Sequence, residues 1–334
     1  MTINYLIYYQ IKMELEYVKD QILNIYNKIL AFEILNSGDF IVSTYNKLLL
    51  FDTNFVLKNQ IDTDEQNIIY SICIKNQQKF YTGNNIGIIQ EWEEDKYKNI
   101  YSKHKYNFYK AHNSEITQIL IINNYIYSCS TDYTIKVRKI NQLDETLCEI
   151  KESGPIISII YDIESKLLVS AGENGIVFYL DLDNIDVPNL SQFYQYPKNF
   201  NYYKNSIKFF EKNDEKISII VGGENSIKIY SLDKTQFKEN NQIIPEINII
   251  DINYSCSAIY VFESNKKTIF ITGESNLDTN DENIKIRIYI NHKEDIMGEY
   301  HHTKTIKGFI PYPDNTVASY SDDGKIKFWK LKLN

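Results

Sequence analysis

Side chains able to do acid–base, nucleophilic or metal chemistry are few and scattered in this 334-residue chain. The histidines are His104, His112, His292, His301 and His302. The pair His301-His302 has the composition of a metal site, but neighbours on an extended strand point to opposite faces and rarely chelate together. The cysteines Cys73, Cys129, Cys148 and Cys256 are far apart. With no Cys-x-x-Cys and no histidine at ligand spacing, they argue against a zinc site or a disulfide scaffold. The carboxylate pairs Asp322-Asp323 and Glu93-Glu94 carry the groups for acid–base work, but the first reads as a turn and the second as a solvated connection. No Gly-x-Ser-x-Gly elbow, phosphate loop or dinucleotide fingerprint occurs. The expectation is a non-enzymatic chain with no catalytic residue, metal, cofactor or small-molecule substrate.

The elements available to position any site are set by composition. There are 55 Ile and 28 Tyr against 5 Ala, a balance that disfavours helices and favours strands. The apolar run Tyr5 to Ile11 is too short to cross a bilayer and lacks the flanks of a cleavable signal, so a soluble intracellular protein of the cytoplasm or nucleus is expected. The net charge is −8, and only Arg138 and Arg287 supply the planar fork suited to guanine and phosphate. Broad nucleic-acid binding is disfavoured.

An internal repeat organises the rest. Seven times a strand-like run meets a short polar turn and then an alternating run that ends on an aromatic residue or its stand-in. The clearest copy is Val317-Ala-Ser-Tyr-Ser-Asp-Asp-Gly-Lys-Ile-Lys-Phe-Trp329, and another is Ile126-Tyr-Ser-Cys-Ser-Thr-Asp-Tyr-Thr-Ile-Lys-Val-Arg138. The copies end at positions 51, 92, 138, 180, 230, 289 and 329, separated by 41, 46, 42, 50, 59 and 40 residues. Alternation on both sides of a turn describes a β-hairpin, and a period of roughly 40–45 residues suits a four-stranded propeller blade.

On these residues the chain resembles the WD40-repeat family. The resemblance implies an all-β fold, a seven-bladed β-propeller of four-stranded antiparallel blades. It also implies a structural hydrogen-bond tetrad in the last repeat, formed by His302, Ser319, Asp323 and Trp329. The third repeat keeps His112, Ser128 and Asp132 but has Arg138 in place of tryptophan. The second keeps Trp92, the fourth offers Asn174 and Leu180, and the fifth Glu224 and Tyr230. Such a buried network holds a blade only if every member is satisfied.

Too few residues follow Trp329 for an outermost strand, so the ring is expected to be closed by an N-terminal strand, Met13–Lys19, which has the alternation of one. Residues 1–12 would then form a tail, and 13–334 a single WD40-like domain.

Three segments are candidate partner surfaces. The insertion 274–283 carries Glu274, Asp278, Asp281 and Glu282, and reads either as a solvated loop or as a dock for a basic partner. The stretch 193–203 carries Phe193, Tyr194, Tyr196, Phe200, Tyr202 and Tyr203; Pro197 and its asparagines suggest a loop whose aromatics pack on a blade edge or meet a partner. The Lys/Tyr-rich segment 96–110 serves as an outer strand or grips RNA or anionic lipid. The leading expectation is a scaffold with one or more protein partners in a complex. The alternative is an RNA- or ribonucleoprotein-associated propeller using 96–110.

Overall fold

A computed structural model describes residues 13–19, 27–63, 67–76, 78–95, 100–173, 175–181, 190–196, 206–238, 245–264, 267–275, 284–290, 293–296, 301–312 and 315–333. Nearly all of the regular structure is antiparallel β, with one short 3-10 turn at Lys234–Lys238. Among the described residues, five sheets have four strands each and a sixth has eight, and together they make a propeller-like ring.

The first sheet spans Ala31–Ile34 to Leu57–Asp62, the second Ile69–Ile74 to Ile100–Lys110, the third Ile116–Ile122 to Cys148–Lys151, and the fourth Ile156–Asp162 to Leu190–Tyr196. Each is an up-and-down meander of neighbouring strands. The last sheet takes Ile306–Tyr312, Thr316–Ser321 and Ile326–Leu333 from the chain's end and Met13–Lys19 from its beginning. Met13 pairs with Leu333 and Tyr17 with Trp329.

The eight-stranded sheet differs from the expected regular repeat. Its strand Glu246–Ser264 has 19 residues and runs without a break through two sets of partners. Residues 246–251 pair with 226–231, and 255–264 pair with 267–275. The sheet curls so that its halves face each other. Phe210, Ile220, Ile227 and Ile229 of the first half pack against Cys256, Ile259, Phe270 and Tyr289 of the second.

The apolar core lies between sheets. Tyr127 and Val137 of the third sheet pack with Ile159, Leu168 and Tyr179 of the fourth, and Trp329 of the last sheet packs with Ile271 and Ile286. This is why both faces of the inner strands carry Ile, Val and Leu. The strands beginning at Ala31, Ile69, Ile116, Ile156, Ile207, Glu246 and Ile306 touch one another in cyclic order. Side-chain hydroxyls tie neighbours together: Ser43 Oγ donates to the Ile69 carbonyl at 2.9 Å, Thr117 Oγ1 to Ile156 at 2.8 Å and Ser257 Oγ to Ile306 at 2.6 Å. Gly83 is required by this proximity, because a Cβ there would lie 2.5 Å from Cγ2 of Ile116 on the next sheet.

Candidate functional site

The most organised polar cluster is in the last sheet. Trp329 Nε1 donates to Ser319 Oγ at 2.8 Å, Ser319 Oγ lies 2.8 Å from His302 Nε2, and His302 Nδ1 lies 3.0 Å from Asp323 Oδ2. The backbone N–H groups of Thr303 and Lys325 also donate to Asp323, at 3.0 and 2.9 Å. Burial pushes His302 below the usual histidine range despite the pull of Asp323. A neutral ring with its proton on Nδ1 satisfies every link: Nδ1–H donates to the carboxylate, and Nε2 accepts from the serine hydroxyl, which accepts from the indole. Burial works against charge on Asp323, yet the donors around it hold its carboxyl down at about 2.

The third sheet repeats the two links from serine to aspartate. His112 Nε2 lies 2.8 Å from Ser128 Oγ, and Nδ1 lies 3.1 Å from Asp132 and 2.9 Å from Thr134 Oγ1. Burial lowers the His112 pKa, and bonds from His112, Thr134 and Asn113 lower that of Asp132 against its own desolvation. The indole's place is taken by Arg138, opposite Ile126 as Trp329 is opposite Val317. In the second sheet Trp92 Nε1 donates to Thr82 Oγ1 at 2.9 Å.

Two related clusters escaped the sequence reading. In the fourth sheet Glu152 Oε1 accepts from Ser170 Oγ at 2.5 Å and from Tyr179 OH at 2.7 Å. Tyr179, not Leu180, pairs with Leu168 and so occupies the slot of Trp329. Tyr254 OH lies 2.8 Å from Thr272 Oγ1 and 2.7 Å from Tyr289 OH. Spacing was the available signal for the first alone: Glu152 stands four residues before Ile156, as His302 stands before Ile306, whereas Tyr254 stands two residues before Cys256, which holds the register position of Ile306. These clusters are buried or half-buried, mutually satisfied and positioned between strands, and their chemistry is cross-linking.

The expected partner residues are dispersed. Glu274 does not lie on a solvated loop. It is 8% exposed on the strand Lys267–Ser275, 2.7 Å from Arg287 Nη2, and it accepts from the Lys285 N–H at 2.9 Å. Arg287 in turn stacks 4.6 Å from the centre of the Tyr254 ring. The strand extends this far because the carboxylate finds its counter-ion across the hairpin. Asp278, Asp281 and Glu282 fall outside the described residues, as do Phe200, Tyr202 and Tyr203. Phe193, Tyr194 and Tyr196 lie not on a loop but on Leu190–Tyr196, the outer strand of the fourth sheet, where Tyr194 pairs with Phe178 and Tyr196 with Ile176. Residues 100–110 form the outer strand of the second sheet.

A cavity of about 210 Å³ touches the innermost strands of the first three sheets, with Glu33, Ser71, Cys73 and Gln118 in its wall. Its polar groups serve the fold: Ser71 Oγ accepts from Ile119 N–H, and Gln118 Oε1 from Ser158 Oγ and Ile159 N–H. Among the described residues no three His, Cys, Asp or Glu side chains converge to hold a metal ion. Also among the described residues, no helix is long and apolar enough to cross a membrane.

Three of the eight large apolar side chains exposed among the described residues share a position that sequence alone did not show. Tyr45, Ile86 and Tyr133 are 44, 39 and 42% exposed. They occupy the turns joining the second and third strands of three consecutive sheets. Tyr133 has φ +74°, where the corresponding turns use Gly87 and Gly324. An aromatic residue is thus held in a backbone conformation that favours glycine.

Compared with known proteins, the chain matches no family model and no curated protein.

Proposed function

We propose that this chain is a non-enzymatic, WD40-like propeller of seven blades that scaffolds a multiprotein complex. The blade count is supported by the double pairing of Glu246–Ser264 and the face-to-face halves of the curled sheet, which read as two four-stranded units beside the other five. The family likeness is supported by the four-member chain from Trp329 to Asp323 and its three-member counterpart at His112. A fold hosts many functions, so the role must come from the surface.

The observation that carries the scaffold role is the row Tyr45, Ile86 and Tyr133. Three neighbouring turns present large apolar side chains to solvent, one of them at a conformational cost, and tyrosine is among the residues enriched at interface hot spots. Both arginines are engaged within the fold, Arg138 by burial and Arg287 by Glu274, which leaves lysines alone for any nucleic-acid contact.

Affinity capture from native cells with the wild-type chain and a Tyr45→Ala/Ile86→Ala/Tyr133→Gly variant tests the proposal. The expected result is one or more stoichiometric protein partners, lost with the variant while its melting curve stays cooperative. Absence of such a partner, or salt-sensitive RNA retention abolished by Lys103→Glu, Lys105→Glu and Lys110→Glu, would replace it with the RNA-associated alternative.

A further inference from the structure

The exposed row begins at Tyr45, and the neighbouring sheets bring two further groups to its side. Ser43 Oγ, two residues before Tyr45, donates to the Ile69 carbonyl at 2.9 Å, which sets the first sheet's turn beside Tyr70. Across the second sheet, the Ile119 N–H donates to Ser71 Oγ at 2.9 Å and Gly83 lies against Ile116. Ile69 pairs with Asn84 and Ile116 with Ser130, just before the turns of Ile86 and Tyr133, so Tyr70 and Glu115 lie at the same end of the ring as the row. Tyr45 is exposed, and Tyr70 and Glu115 are half-buried.

The three side chains act on one another. Burial, then the Glu115 carboxylate and then the Tyr45 phenol push the Tyr70 hydroxyl above the usual tyrosine range. Both neighbours thus work against negative charge at Tyr70 and in favour of positive charge. Lys110, at the same end of the second sheet, is engaged with the turn itself, its Nζ donating to the Ile86 carbonyl at 2.5 Å. Tyrosine rings present a negative π face and a carboxylate adds a full charge, the combination that holds an ammonium or a guanidinium. An acidic or phosphorylated segment would meet Glu115 as a like charge, and an apolar side chain would desolvate it with no return.

We propose that Tyr45, Tyr70 and Glu115 form a cation-recognition site at one end of the docking surface, which takes a lysine or arginine side chain of the protein partner. Ile86 and Tyr133 then take the apolar residues beside it. The site rests on the scaffold reading above and adds to it the chemistry of the partner, a segment in which a basic residue adjoins apolar ones.

Selection of random displayed peptides on the full wild-type chain, with affinities of the recovered peptides then measured on wild type, Glu115→Gln and Tyr70→Ala, tests this. Wild type is expected to enrich peptides with a lysine or arginine beside an apolar residue. Each variant is expected to weaken them about tenfold, as is replacement of the basic residue by norleucine in the peptide. No recovered peptide, recovered peptides without a basic residue, or equal affinity for Glu115→Gln would each overturn the site. If, beside such a result, native cells still yield a partner that the Tyr45/Ile86/Tyr133 variant loses, the scaffold reading stands and the cation site alone falls. Should Tyr70→Ala fail to fold, Glu115→Gln carries the comparison, and the norleucine peptide needs neither variant.

Discussion

Tyr17 pairs with Trp329, so the strand that completes the last sheet lies directly beside the residue that anchors its hydrogen-bond chain. Deleting residues 1–19 would strip the edge of Ile326–Leu333 and leave the ring open. A loss of at least ~3 kcal/mol is expected, with a tendency to associate through the bare edge. Denaturant melts and size-exclusion chromatography read both effects; a monomer with an unchanged midpoint would show that closure contributes nothing.

Trp329→Ala is expected to cost about 3–5 kcal/mol, because it removes a buried ring from the interface with the curled sheet. Trp329→Phe keeps much of the packing and removes the donor to Ser319, so a smaller loss of about 1–2 kcal/mol is expected. Chemical denaturation of both variants separates ring from N–H, and equal losses would mean that the hydrogen bond carries no weight.

Acid should weaken the fold in two stages. His302 and His112 are pushed below the ordinary 6.5 and stay neutral when folded, whereas the unfolded chain takes up protons there. Stability therefore declines as pH drops through about 6.5. Asp323 and Asp132 are held below the ordinary 3.8, so their contribution is complete above that value and is lost as pH falls through the folded values, about 2 for Asp323. A His112→Gln/His302→Gln variant should lose the upper stage in a pH series of melts. Retention of the full slope between pH 7 and 5 would assign it to other groups.

Tyr133→Gly should raise stability by about 1 kcal/mol, since the backbone at φ +74° suits glycine and the lost side chain is 42% exposed. Thermal melts decide the sign. A lower midpoint would show that the exposed ring supports the fold.

Gly83→Ala should destabilise by about 1–3 kcal/mol, because the new methyl group would meet Ile116 of the neighbouring sheet. Combining it with Ile116→Ala makes room, so the two losses should be less than additive. Strict additivity in a double-mutant cycle would place the strain elsewhere.

The sheet order and the closing strand were legible because period-2 alternation and the recurrence of Ser128 and Ser319 before a turn are local signals. The curled sheet was not, since nothing local marks Glu246–Ser264 as one strand with two partners. The same limit applies to Glu274: an acidic residue beside an acidic insertion reads as solvated, and only the fold brings Arg287 across the hairpin. The stand-in Glu152 kept the position of histidine and changed its chemistry, and Tyr254 changed both, so a search by residue type passed over them. Tyr179 was missed by a single residue of register, which in a strand is enough to exchange the two faces.

Met13 and Leu333 are paired neighbours, so the ring has no privileged starting point. A short glycine-rich bridge between them, with new ends opened in the turn at 213–215, would give a circular permutant with the same sheets in a different chain order. The worst place to cut is within 251–255, where Glu246–Ser264 passes from one set of partners to the other. Severing it would uncouple the halves of a sheet that the chain otherwise builds as one.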